Sequence, residues 1–428
     1  IPHGSTWGLY TPPGTSMDKQ LTRQQHDPER QRLIEIMSGH GNSEEFRSWR
    51  ELKVETDGSP VCPAPTPDYL PCCWRAGEIM RERCGDLPKQ ECEKRVEEAK
   101  RLALLANVSP HLVFPDTRGE DWLDCGQCRD CFKPSFGYRP RESVQYSLAL
   151  SNFDEPGPDG DPLRFRYGFI ASSDVHTARP GTGYKQYERR MMTEATGPRS
   201  AFYASLARRR LQGTGDVDPQ VPQPVSADRS LLSADSERVA SFLHPGGLVA
   251  VHAEGRGREA IWQALGRREV YGTSGPRILL WFDLINPPGG DPAAMGSEVE
   301  IAEAPIFEVR AVGSFEQKPG CPPDAAAELG EERLARLCQG ECYHPSDRRR
   351  AITRIEVVRI RAQHRDGEDV SPLIEDPWKV IDCPADRQGC HKHFFDENFG
   401  RDGRDALYYV RAIEAPSPAV SADPLGCR

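Results

Sequence analysis

Fourteen cysteines fall in two blocks, eight between Cys62 and Cys131 and six between Cys321 and Cys427, with none in the chain between them. An even number set in loop-like sequence reads as disulfides formed in an oxidising compartment, periplasmic or extracellular. Spacing leaves the pairing open, although Cys338/Cys342 and Cys383/Cys390 are near enough for local bridges. The competing reading is a metal or iron–sulfur centre at Cys125, Cys128 and Cys131 (CGQCRDC), but no fourth cysteine follows four residues on. A structural zinc completed by Cys72 or Cys73 is the remaining form of that alternative.

The 428 residues suffice for two or three domains, or for one large domain with insertions. Mean hydropathy is −0.63, polar for a globular chain but not the profile of a disordered one. The formal net charge of −10 argues against nucleic-acid partners, because phosphate neutralisation needs a basic surface. No run approaches the roughly 18 apolar residues that span a bilayer, and no charged-then-apolar leader opens the chain. Residue 1 is Ile, so an upstream part is expected to be missing.

Hydrophobic patterning divides the chain into four stretches. Residues 1–57 carry short apolar runs ending in polar, Gly-rich loops, and residues 58–135 read as a Cys-rich, disulfide-stapled insertion. A helix is expected there over about Pro88 to Leu105, with Val96, Leu102 and Leu105 on one face. Residues 136–284 return to α/β signals, and Gly213 to Ala227 is linker-like. Strand (Leu248 to His252), helix (Arg258 to Arg267) and strand (Ile278 to Leu284) follow in βαβ-like order, which predicts a parallel scaffold. Residues 285–428 alternate apolar and polar side chains in IFEVRAV, ITRIEVVRIRA and ALYYVRAIEA, predicting an antiparallel β region packed on that scaffold.

Three polar clusters sit at expected strand ends: His3 in IPHG; His40, Ser43 and Glu44 in SGHGNSE; Asp174 and His176 in SSDVHT. Imidazole and carboxylate suit zinc, manganese or iron, and ligands one residue apart can both reach an ion from a turning strand end. Taken singly, each reads as a capping Asp, a loop His or a plain turn. Their recurrence in one kind of element favours a site, because strand ends of a parallel barrel converge on one face. There is no G-x-S-x-G elbow, P-loop or H-E-x-x-H, and GRGREA at Gly255 to Ala260 is only a weak phosphate-loop match. Thr273 and Arg277 in YGTSGPR could hold an anion or simply form a turn before a strand.

IPHG, EIMSGHGNSE, YGFIASSDVHTARPG, GGLVAVHAEGRGREAIWQALGRREVYGTSGPR and the ending ALYYVRAIEAPSPAVSADPLGCR together resemble a bacterial family, domain of unknown function 3604. That family is similar to the polymerase-and-histidinol-phosphatase (PHP) metallohydrolases. The resemblance implies an α/β fold containing part of a distorted β/α (PHP-like) barrel, with two or three divalent ions at its strand ends. It implies phosphoester hydrolysis, through ion-activated hydroxide acting on a small-molecule ester. His3 matches the Pro-His metal motif, and Asp174 and His176 match the closing Asp-x-His motif. His40 and Glu44, in a family-like loop, are the candidate catalytic groups, with Arg277 and Thr273 as anion contacts. The family's opening His-x-His has no counterpart, since HKH at His391 to His393 lies in the β-rich tail. The expectation is therefore the C-terminal portion of a longer protein, completed by a separate N-terminal segment or by further copies in an oligomer. The alternative is a non-catalytic exported binding or assembly protein on a degenerate barrel.

Overall fold

The computed structural model describes residues 1–8, 11, 14–47, 52–106, 110–114, 117, 119–122, 125–126, 135, 138–175, 200–202, 205, 218–224, 246–384 and 386–417. Most of the linker-like stretch from Gly213 to Ala227, along with His176, Cys128, Cys131 and Cys427, lies outside these residues.

The apolar run LIEIMS forms strand β1 (Leu33–Ser38), buried along nearly all its length. The chain turns back as β2 (Gly41–Asn42), antiparallel to β1. GFIA forms β3 (Gly168–Ala171) and pairs with β1 in parallel, Leu33 opposite Gly168 and Met37 opposite Ala171. A parallel pair aligns its two C-terminal ends. The polar loops after β1 and β3 consequently emerge side by side.

The insertion has a core of its own. Helix α1 (Cys72–Arg83) starts directly after Pro71, whose fixed backbone suits a helix boundary, in a stretch whose prolines read as loop. Helix α2 (Lys89–Ala106) matches the expected one within a residue at each end. Ala76, Ile79 and Met80 of α1 bury against Val96, Ala99 and Leu102 of α2. Disulfides Cys62–Cys73, Cys72–Cys125 and Cys84–Cys92 staple this pair. They consume Cys72, Cys73 and Cys125, so the zinc reading fails: a sulfur in a disulfide offers no thiolate.

Helix α3 (Val144–Ala149), capped by the Ser143 hydroxyl on the Tyr146 amide, is buried throughout and leads back toward β3. Beyond it, β4 (Leu248–Val251) and helix α4 (Arg258–Gly266) form where expected. The parallel βαβ expectation does not hold. A further strand, β5 (Val270–Thr273), follows the helix and pairs antiparallel with β4, Leu248 opposite Thr273. The reason lies in α4, which buries only Ala264 and leaves Trp262 exposed. A crossover helix must cover a sheet face, and this one does not. The hairpin instead lies on β3: a Cβ on Gly247 or Gly272 would overlap the Ala171 methyl, so both positions need glycine.

The rest of the chain is antiparallel. Strands β6 (Leu279–Leu284), β7 (Ile306–Val312), β8 (Ile352–Arg361), β9 (Ile374–Asp382), β10 (Cys390–Phe395) and β11 (Ala406–Glu414) make two sheets. One runs β6-β7-β10, with Ala293–Ala294 at its edge, and the other runs β9-β8-β11. Phe282, Phe307 and Phe394 from the first meet Ile355 and Val357 from the second in one core. Val358 and Ile360 of β8 also join Ile34, Leu148 and Phe165. That shared strand ties the β region to the α/β part. Cys383–Cys390 closes as expected, whereas Cys342 bonds Cys321 rather than Cys338. Cys338 belongs to the helix Glu331–Cys338 and Cys342 lies beyond its left-handed terminus at Gln339, which sends Cys342 back toward Cys321. Among the described residues no helix is long and apolar enough to cross a membrane.

Candidate metal centre

The aligned ends of β1 and β3 bring together two of the expected ligands, His3 and Asp174, and with them His40, which was expected as a catalytic group rather than a ligand. One nitrogen each of His3 and His40 and one oxygen of Asp174 lie within 4.8 Å of one another. His40 Nε2 is 2.5 Å from Asp174 Oδ2, and His3 Nε2 is 3.5 Å from Asp174 Oδ1. His40 is 3% exposed and Asp174 10%, whereas His3 at 41% forms the open side. One carboxylate thus faces two imidazoles from segments far apart in sequence.

Local backbone explains the convergence. Asp174 adopts a left-handed conformation, φ 57°, which turns the chain sharply as it leaves β3. Gly39 permits the approach from the other side, since a Cβ there would come 3.1 Å from both the Asp174 Cβ and the Ser173 carbonyl oxygen. The indole of Trp7 stacks on the His40 ring, centroids 4.0 Å apart and planes 12° apart.

Two groups in the cluster were not anticipated. Glu35, buried in the middle of β1, accepts from His3 Nδ1 at 2.7 Å, and its other oxygen accepts from the Ser172 hydroxyl at 2.5 Å. Its signal was present in LIEIM, an acid interrupting an apolar run. Trp7 is 1% exposed and holds one face of His40, but its position after a Gly-bounded turn gave no periodicity to read.

The other candidates lie elsewhere. Glu44 Oε1 accepts from Arg411 Nε at 2.6 Å and from the Tyr409 hydroxyl at 2.7 Å. Arg411 also grips both oxygens of Asp376, at 2.6 and 2.7 Å. Burial opposes the Arg411 charge, but Glu44 and Asp376 hold its pKa well above the ordinary value. Neighbouring Glu45 is pushed up to about 7, chiefly by burial, with Arg411 opposing the rise. Glu44 is thereby committed to a buried ion network. Thr273 Oγ1 accepts from the Gly275 amide, and the Arg277 guanidinium stacks 4.1 Å from the Tyr343 ring centroid. These two form the turn before β6.

A cleft of about 890 Å³ has Phe169, Tyr271, Phe282, Phe307 and Tyr408 among its lining residues but none of His3, His40 or Asp174. Aliphatic, aromatic and charged side chains share its walls, Glu44 and Arg411 among them, so this cleft and the ligand cluster are separate features.

The donor set itself fits an ion. Two imidazoles and a carboxylate, one imidazole oriented by a second carboxylate, form the kind of set that holds zinc, manganese or iron. No curated protein and no solved structure matches the chain. Residues 160–283, which contain Asp174 but neither His3 nor His40, match the model of a family described as "Protein of unknown function (DUF3604)".

Proposed function

We propose that this chain carries the metal centre of a PHP-type hydrolase acting on a phosphoester or related ester, with His3, His40 and Asp174 as ligands. The observation supporting this reading is the meeting of those three groups at the shared end of a parallel strand pair. A divalent ion bound there would supply Lewis-acid activation of water and of an ester oxygen.

The chain's own residues prepare that site. Glu35, as a carboxylate, only accepts, so it holds the proton of His3 on Nδ1 and leaves the Nε2 lone pair facing Asp174. The Ser172 hydroxyl fixes the second oxygen of Glu35, and hence its plane. Trp7 shields His40 from water on one face. The half-exposed His3 side leaves an approach for substrate. Disulfides in both cysteine blocks suit an oxidising compartment, and the proposed location is the periplasm or the cell exterior.

Metal analysis of the purified protein, combined with a screen of aryl phosphate and sulfate esters, tests the proposal. Asp174→Ala is expected to hold one equivalent of transition metal fewer than wild type, with turnover abolished by chelation and restored by zinc or manganese. Equal metal content in wild type and Asp174→Ala overturns it.

A further inference from the structure

The histidines of HKH serve neither the candidate centre nor the core. On β10 the two-residue period of a strand puts His391 and His393 on one face, while Lys392 points to the other. Antiparallel register with β7 then sets Glu308 opposite His393 and Arg310 opposite His391. Phe307, Val309 and Ala311 bury toward the core, so Glu308 emerges on the same outer face as the two histidines. His391 Nε2 is 2.5 Å and His393 Nε2 3.5 Å from the same Glu308 oxygen, Oε1. The two rings have centroids 5.1 Å apart. Both imidazoles are more than half exposed, so the face is open to solvent.

We infer that Glu308, His391 and His393 form a second divalent-metal site, taking zinc or a similar imidazole-preferring ion, on the outer face of the β6-β7-β10 sheet. One ligand atom from each residue lies within 4.8 Å of the others. Ligands about 2.1 Å from a tetrahedral zinc stand roughly 3.4 Å apart, so only side-chain rotation is needed to admit the ion. The backbone is fixed by the ladder to β7 and by the Cys383–Cys390 bridge at the residue before His391. Arg310, opposite His391 in the register, lies over Trp281, 5.2 Å from its centroid, while still acting electrostatically on Glu308. Three protein ligands leave further coordination positions for water or for a donor from another molecule, as in open rather than structural zinc sites.

The test is zinc chloride titration of the metal-stripped, oxidised full chain by calorimetry, run in both wild type and Asp174→Ala. The second background removes a ligand of the other centre, so the two sites fail separately. One equivalent of zinc should bind Asp174→Ala, weakened at least tenfold by His391→Gln or His393→Gln and abolished by the pair. As a check that needs no substitution, zinc should protect His391 and His393 of the wild type from diethyl pyrocarbonate, read by peptide mass spectrometry. Unchanged zinc binding in the paired variant, or equal labelling with and without zinc, overturns the assignment.

Discussion

Glu35 Oε1 accepts the Nδ1 proton of His3 at 2.7 Å, and the other nitrogen of that ring consequently faces Asp174 Oδ1, 3.5 Å away. A carboxylate behind an imidazole fixes its tautomer and raises its basicity, and losing such a partner typically weakens metal affinity about 10–100-fold. Glu35→Ala should therefore lower zinc affinity at the candidate centre by that range. Glu35→Gln, which keeps an accepting oxygen but not the charge, should fall between the two. Calorimetric titration reads the effect, with far-ultraviolet circular dichroism confirming that both variants fold. Equal affinity in all three proteins would remove Glu35 from the site.

The left-handed backbone at Asp174 separates the ligand role of its side chain from its cost to the fold. An L-residue in that conformation is disfavoured by about 1–2 kcal/mol, and glycine is not. Asp174→Gly and Asp174→Ala should both lose the ion of this centre, one equivalent fewer than wild type, but the glycine variant should be the more stable by about 1 kcal/mol. Paired urea melts and metal analyses measure both quantities. An alanine variant as stable as the glycine variant would show that the backbone relaxes once the carboxylate is gone.

These residues also show what was legible beforehand. His3, His40 and Asp174 stood out because imidazole and carboxylate recurred where apolar runs ended, and a parallel pair must bring such ends together. Glu35 was missed although an acid inside LIEIM is costly unless a partner waits for it, and the partners come from residues 3 and 172. The antiparallel return of β5 could not be read from strand–helix–strand order. That order is shared by crossovers and hairpins, and only the exposure of α4 distinguishes them. Glu44 looked free for catalysis because Arg411 lies 367 positions away in the chain, a separation no local pattern bridges.

Burial lifts Glu142 to about 7 from its ordinary 4.5, with nearby Asp18 adding to the rise and the Thr15 hydrogen bond, Lys19 and Arg139 opposing it. Between those two values the folded state holds a proton that the unfolded state has released. Stability must then fall as pH rises from about 4.5 to 7, and stay lower above that. Glu142→Gln removes the group and should flatten this slope, gaining on the order of 1–3 kcal/mol over wild type at pH 8 and little at pH 4. Urea midpoints across pH 4 to 8 decide it; parallel curves for the two proteins would mean that Glu142 titrates normally.

Arg411 joins the last long strand to the loop after β2, through Glu44 on one side and Asp376 on the other. Arg411 is buried, which leaves little water to take over those contacts. Removing one member of a buried ion network strands its partners, which costs about 3–5 kcal/mol. Arg411→Ala leaves Glu44, Glu45 and Asp376 with Arg47 as their remaining nearby cation, and the folded state should then favour a protonated carboxyl. Proton uptake on folding means that the variant loses further stability as pH rises. The gap from wild type should accordingly be wider at pH 8 than at pH 5, and Arg411→Ala/Asp376→Asn should recover part of it by removing one of the stranded charges. Denaturant melts of the three proteins at both pH values measure the effect. A gap that does not change with pH would mean that water enters and solvates the carboxylates, and that the network contributes through packing alone.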